Sequence, residues 1–319
     1  MTNFFIENGT PLVKSGPAPY HRRFCGVPPG RHPFGDAAVG GAKHFSRKFF
    51  GTAMPQSTLP LIDIGANLVH ESFALDLDTV IEDAQQAGLA AMIVTGTSPQ
   101  TSEQAAALAA TRPGYLYSTA GVHPHDASHY DTDALAQLRQ LCALPQVVAV
   151  GETGLDYNRN YSPAPDQERV FAALLALAVD CGLPVFLHQR DAHSRFLPLL
   201  KEYRDQLSRA VVHCFTGTRA ELFDYLDLDL YIGITGWVCD ERRGQELQTL
   251  IADIPPERLM LETDAPYLLP RTIRPRPKSR RNTPANLPWV LAQVAQCSGR
   301  TAAEVAAQTT TNARRFFAI

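Results

Sequence analysis

From residue 61 to the end, the chain keeps returning to one unit, a short apolar run followed by an amphipathic helical pattern. The runs LIDIGA (61–66), AAMIVTG (90–96), YLYSTAGV (115–122), VVAVGET (147–153), PVFLHQ (184–189), AVVHCF (210–215), LYIGIT (230–235) and LMLETD (259–264) read as eight strands. Each is short and mostly apolar. Between them lie helical patterns such as DTVIEDAQQAGL, SEQAAALAATR and QERVFAALLALAVDCGL, several closing on a Gly or Pro. Alternation of strand and helix predicts a parallel sheet, and eight units of this length predict a closed (β/α)8 TIM barrel. An open doubly wound sheet is the alternative, but no GxGxxG follows the first strand, where a dinucleotide fold would carry it.

Residues 1–53 break this pattern. They hold 8 of the 21 Gly, 6 of the 24 Pro, 7 basic residues and 2 acidic ones, leaving 22 basic against 30 acidic residues for the rest. The expected division is a disordered leader over 1–57 and a barrel over 58–319. The leader reads either as sequence ahead of a true start at Met54 or as a basic arm. The net charge of −3 excludes a globally basic nucleic-acid binder, although a local basic patch stays open. Six cysteines without a CxxC pair predict a reducing cytoplasmic location and no disulfide framework. No secretory signal or membrane span is visible, so no membrane partner is expected.

In a barrel of this type, function gathers at the carboxyl ends of the strands. Those ends carry Asp63 and Asn67, then His123 and His125, Glu152, His188, His213 and Asp264. Each taken alone reads as a hydrogen-bonded polar residue. Together, two histidines and two carboxylates converging on one mouth are a donor set for Mg, Mn or Zn, and the like charges of Glu152 and Asp264 call for a cation. An ion there acidifies water and polarises a phosphoryl or carbonyl oxygen, which makes hydrolysis the expected chemistry. Glu152 and Asp264 are the candidate catalytic acids, with Asp264 the candidate base.

Strand alternation places Glu262 one pleat deeper than Asp264 on the same face, where it can orient a ligating histidine. Asp63 is either a similar support or a purely structural acid. His123 and His125 flank Pro124; they either contact phosphate or a second ion, or close a turn with Asp126. The loop RTIRPRPKSRRN after the last strand, with Arg280 among its cations, suits phosphate capture, and Arg190 lies two residues past His188. Trp237 and Tyr267 follow strand ends, where they either stack on a base or pack against loops.

The strings GETGLD (151–156), PVFLHQRDA (184–192), VVHCFTGT (211–218), YIGITGWVCDERRG (231–244) and LETDAPYLLP (261–270) resemble those of the TatD deoxyribonucleases, metal-dependent hydrolases with an amidohydrolase-like barrel. The resemblance runs from about Leu61 to Ile319. Carried over residue by residue, it implies metal ligation by Glu152, His188, His213 and Asp264. It also implies Mg-dependent 3′–5′ exonuclease action on single-stranded DNA and possibly RNA, with a part in DNA repair; a monomer is expected. One departure is informative. Many members of the wider family carry His-x-His at the end of the first strand, whereas this chain has Gly65 and Asn67 there, as in the TatD subgroup proper. Losing two imidazoles favours oxygen-rich coordination and Mg. A small-ester or lactone hydrolase on the same barrel is the second reading, but no strand-end lysine is present to bridge two ions. A catalytically silent nucleic-acid-binding barrel is the third.

Overall fold

The computed structural model describes residues 60–319, so the expectations for the leader, 1–57, lie outside the described residues. Eight strands form one parallel sheet in sequence order: β1 (Leu61–Ala66), β2 (Leu89–Val94), β3 (Leu116–Ala120), β4 (Val147–Asp156), β5 (Val185–Arg190), β6 (Ala210–Val212), β7 (Tyr231–Ile234) and β8 (Leu259–Leu261). The ring closes just beyond β8. There Ala66 bridges Ala265 in parallel, Asp264 N donates to Gly65 O at 2.9 Å, and Asn67 N donates to Ala265 O at 2.7 Å.

The helices are α1 (Leu77–Gln86), α2 (Pro99–Ala110), α3 (Thr132–Cys142), α4 (Ala164–Cys181), α5 (His193–Tyr203), α6 (Arg219–Asp227), α7 (Gln245–Leu250), α8 (Leu287–Ser298) and α9 (Ala302–Phe317). Local chemistry sets their ends. Ser98 with Thr101, Thr218 with Glu221, and Thr301 with Glu304 form reciprocal caps at the starts of α2, α6 and α9. Gly182 and Gly299 end α4 and α8 in the left-handed conformation, which glycine adopts without a Cβ clash.

Two apolar layers result. One fills the barrel with Ile62, Ile64, Ile93, Phe186, Val211 and Met260, and α9 brings Phe316 and Phe317 into the same cluster. The other lies between strands and helices, where Phe171 of α4 stacks on Phe196 of α5 with ring centroids 5.0 Å apart.

β1 keeps its expected bounds, β2, β3, β5 and β7 shift by one or two residues at an end, and three strands shift by three. β4 runs on to Asp156, and β6 ends at Val212, one residue before His213. β8 stops at Leu261 rather than at Asp264, because Asp264 takes a left-handed φ of 53° and ends the pleat. Strict alternation therefore holds for Met260 and Glu262 but does not extend to Asp264, which the turn re-aims.

Candidate metal centre

Glu152, in β4, is the hub of the mouth. Its Oε1 lies 2.9 Å from His188 Nδ1 (β5), 2.7 Å from His213 Nε2 (just past β6) and 3.4 Å from His123 Nε2 (just past β3). Donor atoms of His123, Glu152 and His188 all fall within 4.8 Å of one another. Three imidazoles around one buried carboxylate oxygen constitute a nitrogen and oxygen pocket of the kind divalent ions occupy.

The electrostatics follow from burial. Burial works against the charge on Glu152, yet the imidazoles of His213 and His123 hold its carboxyl well below the usual range. His213 is pushed well above its usual value: burial opposes its charge, but the carboxylates of Glu152 and Glu262 outweigh burial. His188 is raised in the same way by Asp156 and Glu152. Burial drives His123 the other way, down to about 3. Asp264 is pushed up to about 7 by burial, reinforced by the charges of Glu152 and Glu262 and opposed by His213 and Asn67. Acids and imidazoles packed this closely shift one another's charge in opposite directions.

The donor set fits a divalent ion on a second count. His188 Nε2, His213 Nδ1 and Glu262 Oε2 are buried without a well-formed hydrogen bond among the described residues, His213 Nδ1 meeting Glu262 Oε2 and His188 Nε2 meeting Asp156 Oδ2 only at 3.4 Å, slack that an ion drawing the ligands together would take up.

Around this centre the remaining candidates take distinct places. Asp264 Oδ1 accepts from Asn67 Nδ2 at 3.0 Å. Glu262 Oε1 accepts from Cys214 N at 2.5 Å, and its Oε2 lies 3.4 Å from His213 Nδ1. The Glu262 carboxylate fills the gap between two glycines: a Cβ on Gly65 would come within 2.6 Å of its Oε2, and one on Gly233 within 2.7 Å of its Oε1. Gly65 leaves room that the Glu262 carboxylate takes up. Asp63 lies inside β1, not at its end, and is fully buried; it accepts from Thr263 N at 2.9 Å and from Gly65 N at 3.2 Å. Burial pushes its carboxyl up to about 7. It fastens β1 to the residues after β8.

Asp156 is the residue that sequence reasoning passed over. Its Oδ2 is 2.9 Å from His125 Nε2 and 3.4 Å from His188 Nε2, while Oδ1 accepts from Asn158 N and Arg159 N. The available signal was its position four residues past Glu152 on a strand that was read as ending at residue 153. Arg190 is exposed at the edge of a cavity of about 930 Å³ that contains the centre. The basic loop is less free than its composition suggests. Arg271 pairs with Glu241, with contacts down to 2.6 Å, and Arg281 pairs with Asp76 at 2.6 and 2.8 Å. Arg280 is exposed but does not line the cavity.

Comparison with known proteins identifies the family. The family model for TatD related DNase matches residues 62–318. The 3′-5′ ssDNA/RNA exonuclease TatD of Erwinia tasmaniensis is 55% identical over 257 residues, covering 81% of this chain and 99% of that protein. Its counterpart from Erwinia amylovora is 53% identical over 259 residues, covering 81% and 100%. Among solved structures, YjjV, a TatD homologue from Escherichia coli K12, superposes with a TM-score of 0.73 at 29% identity, covering 81% of this chain and 98% of that one. A TatD family hydrolase from Entamoeba histolytica gives 0.72 at 27% identity, covering 83% and 99%. A barrel with this centre at its mouth, matched by the family model over nearly all of its described length, belongs to the TatD related DNase family.

Proposed function

We propose that the protein is a metal-dependent 3′–5′ exonuclease that hydrolyses phosphodiester bonds of single-stranded DNA and of RNA, with Mg as its ion and Mn or Zn as substitutes. The observation that carries this reading is the convergence of three imidazoles on Glu152 Oε1 at the mouth of a TatD-family barrel. The substrate class comes from the relatives, which are named 3′-5′ ssDNA/RNA exonucleases.

Glu152, His188, His213 and Asp264 are the proposed ligands, and His123 is close enough to Glu152 to join or replace one of them. A bound divalent ion supplies Lewis-acid polarisation of a phosphoryl oxygen and acidification of water. Asp264, its carboxyl near neutrality and held in place by Asn67, accepts the proton of the attacking water. Glu262 positions His213: by accepting from Nδ1–H it fixes the tautomer that leaves the Nε2 lone pair, beside Glu152, free to ligate an ion. His125, oriented by Asp156, and Arg190 and Arg159 at the cavity edge are placed to bind the phosphates. Arg280 lies outside this edge and is assigned the outgoing strand. A cytoplasmic location is proposed because the cysteines described, Cys142, Cys181, Cys214, Cys239 and Cys297, are all free thiols. No helix among the described residues is long and apolar enough to cross a membrane. A part in DNA repair is proposed on the resemblance alone.

The test uses single-stranded DNA labelled at its 3′ end. With Mg, labelled mononucleotide is expected to appear before any shortening from the 5′ end. No release with Mg, Mn or Zn would overturn the proposal. Glu262→Gln separates positioning from chemistry: ion affinity, measured by titration calorimetry, is expected to fall about 10- to 100-fold. An unchanged affinity would remove Glu262 from that role.

A further inference from the structure

Three large aromatic side chains stand exposed among the described residues: Tyr161 at 67%, Tyr267 at 50% and Phe223 at 41%. Phe223, on α6, has the Arg219 guanidinium 5.5 Å above its ring. The two tyrosines lie elsewhere: Tyr267 lines the cavity that contains the centre, and Tyr161 stands just outside it, against the lining residue His125. Tyr161 follows β4, the strand of Glu152; its ring meets that of His125 edge-on at 4.6 Å, and His125 is bound to Asp156. Tyr267 follows β8, three residues past Asp264; its ring meets that of His70 edge-on at 5.7 Å, and its N–H donates to Asp264 O at 2.9 Å.

In a ring of eight strands taken in order, β4 and β8 stand on opposite walls. The loops that carry the tyrosines therefore rise from opposite walls of the mouth, the wall of Glu152 and the wall of Asp264.

Both rings are carried on fixed backbone. Beside Tyr161, buried Ser162 donates to His125 O at 2.8 Å and accepts from Ser128 N at 3.0 Å, and the start of the loop is held by the Asp156 turn. Beside Tyr267, Pro266 O accepts from Asn282 N at 2.9 Å. An exposed aromatic ring on a rigid loop loses little freedom when a flat ligand lies on it, which is what a stacking platform requires. Trp237, the other aromatic at the mouth, is less available: it is half-buried and the Arg243 guanidinium sits 4.5 Å from its ring centroid.

We propose that Tyr161 and Tyr267 are nucleobase platforms on opposite rims, each holding the base of one of the two nucleotides that flank the phosphate seated between Glu152 and Asp264. The inference rests on the nuclease reading and deepens it. A base in a duplex already has both faces stacked and its pairing edge engaged, so two platforms across one phosphate admit a single strand and reject a double helix. Stacking is also tolerant of base identity, because every base offers a π-face.

The test measures binding rather than turnover. A single-stranded phosphorothioate oligonucleotide, which resists cleavage, carries 2-aminopurine at either of its last two 3′ positions and is titrated with the Mg-loaded protein. The wild type is expected to quench both positions. Tyr161→Ala and Tyr267→Ala are each expected to relieve quenching at one position and to raise Kd about ten-fold. The Phe variant at either site should restore the wild-type behaviour. On an oligonucleotide whose last two positions are abasic, wild type and Ala variants should bind alike. Equal Kd values for wild type and Ala variants on the intact oligonucleotide, or an equal loss on the abasic one, overturns the inference. Binding and quenching without degradation of an unmodified oligonucleotide overturns the nuclease reading and leaves the platforms standing. A wild type that binds neither oligonucleotide overturns both.

Discussion

Glu152→Gln is expected to lower nucleotide release from single-stranded DNA by about three orders of magnitude or more, the scale seen when a central charged group of an active site is neutralised. The substitution keeps the shape and removes the charge. One oxygen of Glu152 serves three histidines at once, at 2.7, 2.9 and 3.4 Å, and no other acid within the cluster touches more than two. Neutralising it removes a proposed ligand and the charge that raises the pKa of His213 and His188, and it leaves a carboxamide whose nitrogen faces an imidazole. Loss of a buried counter-charge also destabilises, by about 3–5 kcal/mol for a fully buried pair, so the assay is paired with a thermal melt followed by circular dichroism. A folded variant that keeps more than about a tenth of wild-type activity would show that Glu152 is dispensable.

Chelation should have a comparable effect on activity and an opposite use as a probe. With excess EDTA, turnover is expected to vanish and to return on adding Mg. Ions at about a hundred times their dissociation constant stabilise the fold by about 2.7 kcal/mol, which for a domain of this size raises the melting temperature by about 5–10 °C. The second readout matters because it does not depend on substrate. The donors in this pocket are already held in a cage by β4, β5 and the segments after β3 and β6, so the ion organises little backbone and most of its binding energy appears as stability. Full activity in EDTA together with a melting temperature indifferent to Mg, Mn and Zn would rule out a metal centre.

The sequence carried the barrel plainly, because most strands are apolar runs and several helices are bounded by a cap or a glycine, such as Ser98, Thr218, Thr301, Gly182 and Gly299. The strand ends carried the identity of the polar residues as well. Their meeting was less legible. Nothing in the string GETGLD distinguishes Glu152, which faces three histidines, from Asp156, which orients His125 and approaches His188; both lie on one strand, and only the paths of β3 and β5 decide who their partners are. The end of β8 was misplaced for a local reason, since the left-handed turn at Asp264 leaves no mark in hydrophobic pattern. The basic loop looked like a phosphate clamp because composition counts charges and not partners. Arg281 is bound to Asp76, 205 residues earlier in the chain, a pairing no local pattern reveals. The glycine at position 65 is the converse case. Read as an absent ligand, it becomes intelligible once Glu262 is seen filling the space.

The seam that closes the barrel has a bearing on how such an enzyme is made. The last contacts of the ring, from Asp264 to Gly65 and from Asn67 to Ala265, are formed by neighbours of the very residues that complete the centre, and Asn67 clasps Asp264 directly. No amino-terminal fragment that stops short of β8 contains the site. A chain still emerging from the ribosome, surrounded by messenger and ribosomal RNA, thus carries most of a nuclease without its cutting edge. On the proposed ligand set, the capacity to cut is complete only when synthesis is nearly done and the two ends of the barrel meet.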